Sequence, residues 1–168
     1  MKTIEIEIPI GYEIDKEKST FEKIVFKKIK SEWVDLGLPS GNLWKSANED
    51  GYFTYNDAVE KFKGNLPTIV DFAELVQYCK WEWSSELKGM VVIGPNKNII
   101  VFLAMGYRSV SGWSLYEVGH YGYYWSTSLY PSNPSMVYNL YFDYHSNVAP
   151  AHNNFRNYGC SVRCVKHK

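Results

Sequence analysis

The stretch VDLGLPSGNLW, Val34–Trp44, sets the reading of the whole chain. Gly37, Pro39 and Gly41 force turns within a few residues, while Trp33 just before the stretch and Trp44 at its end supply large rings for packing. This Trp, Gly and Pro texture begins at Glu32, and what precedes it is different. Thr3–Ile8, TIEIEI, places Ile4, Ile6 and Ile8 on one face and Glu5 and Glu7 on the other, the period-two pattern of a half-buried strand. Phe21–Ile29, FEKIVFKKI, reads as a second strand, with turn chemistry in GYEIDKEKST between them. Residues 1–31 are therefore expected to form a β-hairpin leader segment, and residues 32–168 a separate domain.

Beyond the opening stretch two short amphipathic helices have legible starts. In TYNDAVEKFKG, Thr54 is placed as an N-cap, Asp57 suits the positive end of the helix dipole, and Gly64 supplies the stop. PTIVDFAELVQYCK repeats the device with Thr68 and Asp71, and sets Phe72, Leu75, Val76 and Cys79 at helical spacing. After Lys80 the pattern turns to strands: WEWSS, then two β-branched runs joined by GPNKN as a hairpin. Further strands are expected at Tyr121–Ser126, Tyr138–Phe142 and Ser161–Val165, separated by long Ser, Asn, Gly and Pro stretches. Two helices followed by antiparallel strands with long loops make an α+β domain.

Composition removes several function classes. The chain has 168 residues and zero formal net charge, with no basic cluster beyond FKKIK, so it lacks the electrostatic footprint of a nucleic-acid binder. Fourteen Tyr, eight Phe and six Trp set it far from a disordered composition. The N-terminus alternates charge with Ile instead of presenting a basic start and an apolar run. It reads as neither a signal peptide nor a membrane span, and cytoplasmic synthesis without membrane insertion is expected. Cys79, Cys160 and Cys164 match no zinc spacing and are read as reduced, buried thiols.

Four segments stand in a recognisable order: WVDLGLPSGNLWKSAN (Trp33–Asn48), LPTIVDFAELVQYCKWEW (Leu66–Trp83), GYYWSTS (Gly122–Ser128) and GCSVRCVK (Gly159–Lys166). Together they resemble the Bacteroides and Fibrobacter paralogous (FISUMP-like) domain, whose members look like C-type lectin folds. The same pattern is found in variable proteins of diversity-generating retroelements, which are phage or bacterial proteins presenting a randomised lectin-fold surface. The resemblance spans Trp33 to Lys166. It implies a C-type lectin-like fold and a non-enzymatic, ligand-binding role, as in a phage adhesin carried in a virion, with a protein or glycan receptor on a cell surface as partner. A non-diversified cell-surface paralogous domain with a structural or glycan-binding role is the alternative. The leader, too, looks like segments that precede various domains in proteins of Bacteroides and their phages.

Residues 126–159 hold no Lys, Glu, Gln or Trp, although Lys, Glu and Gln number twenty-eight in the rest of the chain. By simple proportion about seven would be expected there. Diversification of Asn codons at their first two bases, which the resemblance implies, reaches Tyr, Ser, His, Asp, Phe and Ala but not Lys, Glu, Gln, Met or Trp. Met136 is accordingly read as fixed. A binding surface has the same composition for a physical reason, since Tyr, Ser and Asn give contact area and adaptable hydrogen bonds at low entropic cost. A plain polar, tight-turning loop would also be rich in Ser, Asn and Pro.

On the strand VYNLYFD, Leu140 and Phe142 are expected inward, and Asn139, Tyr141 and Asp143 outward. The following YHSNVAPAHNNFRNY is expected as a loop presenting Tyr144, His145, Asn147, His152, Asn153, Asn154, Phe155, Asn157 and Tyr158. Tyr130 and Asn133 complete the candidate ligand-binding set, and Val148, Pro150, Arg156 and Gly159 are read as scaffold.

Catalytic and metal-binding alternatives find little in the spacing. Formylglycine-generating enzymes, in the broader lectin-like group, use a C-terminal cysteine pair. Here Cys160 and Cys164 are four residues apart on an expected strand, about 13 Å, too far for a disulfide. His120, His145, His152 and His167 show no ligand spacing, and the Glu-Pro-Asn or Gln-Pro-Asp triplet of calcium-dependent sugar binding is absent. No catalytic residue, metal or cofactor is assigned. Trp44, Trp81, Trp83, Trp113 and Trp125 are read as core, and Arg163 as paired with a buried carboxylate such as Asp35.

Overall fold

The computed structural model describes residues 12–14, 17–20, 26–28, 32–111 and 114–168. The chain divides into two units, Met1–Ser31 and Glu32–Lys168. In the first, β1 (Tyr12–Ile14) pairs antiparallel with β2 (Phe26–Lys28), Tyr12 opposite Lys28. The strand expected at Thr3–Ile8 lies outside the described residues, and Tyr12–Ile14, read as part of a turn, is strand.

The second unit is α+β, with two helices and several antiparallel sheets. It opens with β3 (Trp33–Asp35) and β4 (Leu43–Lys45). Helix α1 (Tyr55–Lys61) starts where the Thr54 hydroxyl accepts the Asp57 N–H at 3.3 Å. After it Gly64 takes φ +84°, a left-handed turn that favours glycine. Helix α2 (Ile69–Tyr78) begins with a full capping box: Asp71 N–H donates to Thr68 Oγ1 at 3.2 Å, and Thr68 N–H to Asp71 Oδ2 at 2.7 Å. Phe72 and Leu75 bury its inner face completely.

The strands β5 (Lys80–Ser84), β6 (Gly89–Ile93) and β7 (Ile99–Leu103) form an antiparallel meander whose last turn is the GPNKN segment. A short ribbon follows, β8 (Tyr107–Arg108) with β9 (Leu115–Tyr116). Three longer strands, β10 (Tyr121–Leu129), β11 (Met136–Asp143) and β12 (Val148–Phe155), make a sheet in that order. Finally β13 (Val165–Lys166) returns to pair with β4, so the end of the unit is stitched to its beginning.

The sheet β10–β11–β12 has a core cluster on each face. On one side Tyr124, Leu140 and Phe142 join Trp44, Phe72 and Phe102, with Phe102 and Tyr124 centroids 5.0 Å apart. On the other, Trp125 and Val137 pack with Tyr55, Ala58, Cys160 and Val162. A Cβ on Gly122 would lie 2.1 Å from Phe142 Cζ, so glycine is what lets that ring lie against β10.

Three expectations do not hold in the fold. Residues 148–155 are a strand, not part of a loop, because they ladder onto β11 despite an Asn- and His-rich sequence. Pro150 fits because β12 is the edge strand and the register slips beside it, from Asn139 opposite His152 to Tyr141 opposite Ala149. Ser161–Val165 is not a continuous strand. Cys160 bridges Phe53, Ser161 bridges Tyr124 and Val165 pairs with Trp44, so the segment changes partner before a ladder can extend. Arg163 is buried but, among the described residues, forms no salt bridge with a carboxylate. It donates to Asn48 Oδ1 at 2.7 and 3.1 Å, to Lys45 O at 2.8 Å and to Val101 O, with Phe102 beneath it at 4.8 Å. Asp35 instead accepts the Gly37 N–H. Trp44 and Trp125 are fully buried, Trp81 and Trp83 partly so, and Trp113 lies outside the described residues.

Candidate functional site: a tyrosine face

Strand alternation puts Tyr121, Tyr123 and Trp125 of β10 on one side, beside their partners Asp143, Tyr141 and Asn139 of β11. The Trp125 end of this side is covered. Its indole N–H donates to Phe53 O at 2.7 Å, and its ring meets Tyr55 edge-on. Toward Tyr121 the cover gives way to a run of rings. Tyr141 touches Tyr121 (6.0 Å) and Tyr123 (5.5 Å) and stacks with His152 (5.0 Å, 29°). Tyr121 meets Tyr144, which in turn meets His120 and His145. At the other edge Tyr107 meets Tyr123 edge-on and lies between Tyr116 (5.5 Å, 20°) and Tyr158 (5.2 Å, 14°), with Phe155 beyond Tyr158. Tyr116, Tyr144 and Phe155 are 47%, 41% and 43% exposed, large areas for aromatic side chains.

Two carboxylates are set into this face. Tyr123 donates its hydroxyl to Glu117 Oε2 at 2.6 Å, and Tyr141 donates to Asp143 Oδ2 at 3.2 Å. Asp143 also ties the turn into β12, accepting the N–H groups of His145 (2.9 Å) and Asn147 (3.1 Å) and the Asn147 side-chain amide (2.8 Å). Burial pushes the Asp143 carboxyl up, but these hydrogen bonds together outweigh it and hold its pKa below the ordinary value. Burial, reinforced by Asp143, pushes the Tyr141 hydroxyl up to about 12, and burial with the Glu117 hydrogen bond raises Tyr123 further. Both phenols are therefore neutral donors at neutral pH.

The candidate residues divide among several places. Tyr141, Tyr144, His145, His152 and Tyr158 belong to the ring face, and Phe155, which the register sets opposite Met136 on the Tyr138 side, joins its rim through Tyr158. Leu140 and Phe142 are buried as expected, but Asn139 and Asp143, expected outward, are buried too. The reason is that β11 is covered on both sides: Asn139 sits between Trp125 and His152, bonded to His152 Nδ1 at 3.1 Å, and Asp143 is enclosed by its own turn. Asn154 is likewise buried, its amide facing Cys160 Sγ and its carbonyl accepting Phe155 N–H. Asn153 pairs with Tyr138, on the other side of the sheet from Tyr141, and Tyr130 packs on that same Tyr138. Asn133 closes the β10–β11 turn by accepting Ser135 N–H, Asn147 serves the Asp143 turn, and Asn157 is exposed in the turn after β12.

Sequence reasoning missed Tyr107, Tyr116, Glu117, His120, Tyr121 and Tyr123. They lie before residue 126, outside the compositional gap, and the available signal was the dense Tyr and Gly of residues 115–124.

Other chemistry is sparse. Among the described residues no three His, Cys, Asp or Glu side chains come together as a metal site. All three cysteines are free and buried, and burial raises each thiol, to about 11 for Cys79 and about 12 for Cys164. Two surface hollows, of about 450 and 270 Å³, lie elsewhere, beside Phe53 and Lys61 and between Trp33 and Phe62. Among the described residues no helix is long and apolar enough to cross a membrane. Comparison with protein-family models, curated proteins and solved structures finds no match.

Proposed function

We propose that this chain is a non-enzymatic binding protein with a C-type lectin-like domain, and that the tyrosine face on β10–β12 is its ligand-contacting surface. The observation that carries the reading is the uninterrupted run of Tyr, His and Phe rings that extends the core cluster of Trp125 and Val137 outward and reaches solvent at Tyr116, Tyr144 and Phe155. Contiguous exposed aromatic area of this kind marks an interaction site, and Tyr gives contact area with little rotamer entropy to lose. The fold-level support is coarser: two short helices followed by antiparallel strands and long connections suit a lectin-like domain.

Within that reading the chain acts as a variable protein of a retroelement, with residues 126–159 as the diversified stretch and a cell-surface protein or glycan as receptor. Neighbouring DNA tests this: a reverse transcriptase and a near-repeat differing at adenines are the expected finding, and a locus with neither removes diversification. Binding is tested by labelling the protein and measuring its retention on a panel of bacterial cells. Tyr144→Ala with Phe155→Ala should abolish retention, and unchanged retention overturns the surface assignment.

The burial of Asn139, Asp143 and Asn154 favours the second reading, a non-diversified paralogous domain. Part of the missing Lys, Glu and Gln is then simple burial, and the rings serve a glycan.

A further inference from the structure

At its two carboxylates the face offers acceptors without donors. The hydroxyl protons of Tyr123 and Tyr141 are already given to Glu117 and Asp143. Tyr123 and Asp143 are themselves buried, and what this region leaves exposed is the Glu117 carboxylate and the negative faces of the Tyr116 and Tyr144 rings. Asp143 has its oxygens occupied by its turn, whereas Glu117 does not: among the described residues its Oε1 accepts from no donor and it forms no ion pair. Lys88, whose stem lies beside Gly119, is in no salt bridge with Glu117 among the described residues. The guanidinium groups of Arg108 and Arg156 are placed over Tyr52 and Tyr55, each at 5.1 Å.

The stack that ends at Tyr116, the residue before Glu117 in the chain, offers a flat aromatic surface to a planar cation. Tyr116, Tyr107 and Tyr158 form a near-parallel stack, and Tyr116, at its end and next to Glu117 in the chain, is half exposed. A guanidinium can continue such a stack while donating to a carboxylate, a combination that an ammonium's compact charge and a neutral amide do not match. Resting on the reading of this face as the ligand surface, we propose that it takes an arginine side chain of the partner, stacked on Tyr116 and hydrogen-bonded to Glu117. This anchor lies outside residues 126–159, so it would be shared by variants that differ within that stretch.

The test uses the full chain and NMR titration with four probes: the N-acetyl, N′-methylamide derivatives of arginine, citrulline, lysine and glutamate. Arginine should shift Tyr116, Glu117 and Tyr123 signals with at least fivefold higher affinity than isosteric citrulline and should exceed lysine, while glutamate leaves them unmoved. Glu117→Gln, which keeps an acceptor for Tyr123, should bring the arginine response down to that of citrulline. Equal responses to arginine and citrulline, lysine ahead of arginine, an undiminished response in Glu117→Gln, or silence on this face each overturns the proposal. Failure here is separable from failure of the binding surface. Cell retention that is lost in Tyr144→Ala/Phe155→Ala but indifferent to Glu117→Gln removes only the arginine anchor, whereas retention that survives both removes the surface itself.

Discussion

The imidazole of His152 lies nearly flat on the ring of Tyr141, with centroids 5.0 Å apart, and its Nδ1 is 3.1 Å from Asn139 Oδ1. Tyr123 flanks the pair at 6.0 Å. His152 keeps one side exposed, and packing of the other against Tyr141 partly withdraws the ring from water and lowers its pKa below 6.5.

His152 should therefore titrate in NMR with a midpoint below an ordinary histidine, and Tyr141→Ala should move the midpoint back up. The folded chain holds this proton less tightly than the unfolded one. The resulting stability is complete above the unfolded pKa and declines as pH falls from about 6.5 through the folded midpoint. A midpoint at or above 6.5 would contradict the packing.

Asp143 adds an acid dependence of the same sign at lower pH. Its folded pKa is held below 3.8, so the stability it confers is full above that value and lost as pH falls through the folded pKa. Asp143→Ala should loosen the 143–147 turn, read as faster amide exchange at His145 and Asn147 than elsewhere in β11.

Replacing the exposed rings should cost little and replacing the covered ones much. Tyr116→Ala, Tyr144→Ala and Phe155→Ala are each expected to shift stability by within about 1 kcal/mol, somewhat above an ordinary surface change because the rings touch one another. Trp125→Ala or Phe142→Ala should cost about 3–5 kcal/mol in thermal or urea unfolding. Asn154→Ala belongs with the buried group, not with the surface.

Gly122→Ala should destabilise by about 1–3 kcal/mol because the new methyl meets the Phe142 ring. Adding Phe142→Leu should recover part of the loss, and a double variant as poor as the sum of the single ones would argue against that contact.

Thr68→Ala should cost about 1 kcal/mol through the lost cap. Asp71→Ala should cost more, because Asp71 also accepts the Asn42 amide at 3.0 Å and lies 3.2 Å from His167 Nε2, tying the helix start to the chain end.

What the sequence by itself determined were features whose physics is local. The caps at Thr54 and Thr68 act on N–H groups three residues away, and the GPNKN hairpin joins neighbours, so both were readable and both formed. The inward side of β11 followed from alternation, since Leu140 and Phe142 are apolar. Tertiary structure alone decided the outward side. Asn139 and Asp143 are buried because a second core cluster, the rings of β10 and a turn close over a face that looks polar in isolation. It also decided that residues 148–155 are a strand, since a polar segment with proline becomes one only when β11 supplies the ladder and a register slip accommodates Pro150. Arg163 found carbonyls and Asn48 instead of a carboxylate for the same kind of reason, its partners coming from β4, β7 and the segment between β4 and α1. The tyrosine face is the largest such effect: half of it lay in the compositional gap, and Tyr107, Tyr116 and Glu117 joined only when the β8–β9 ribbon folded beside Tyr123 and Tyr158.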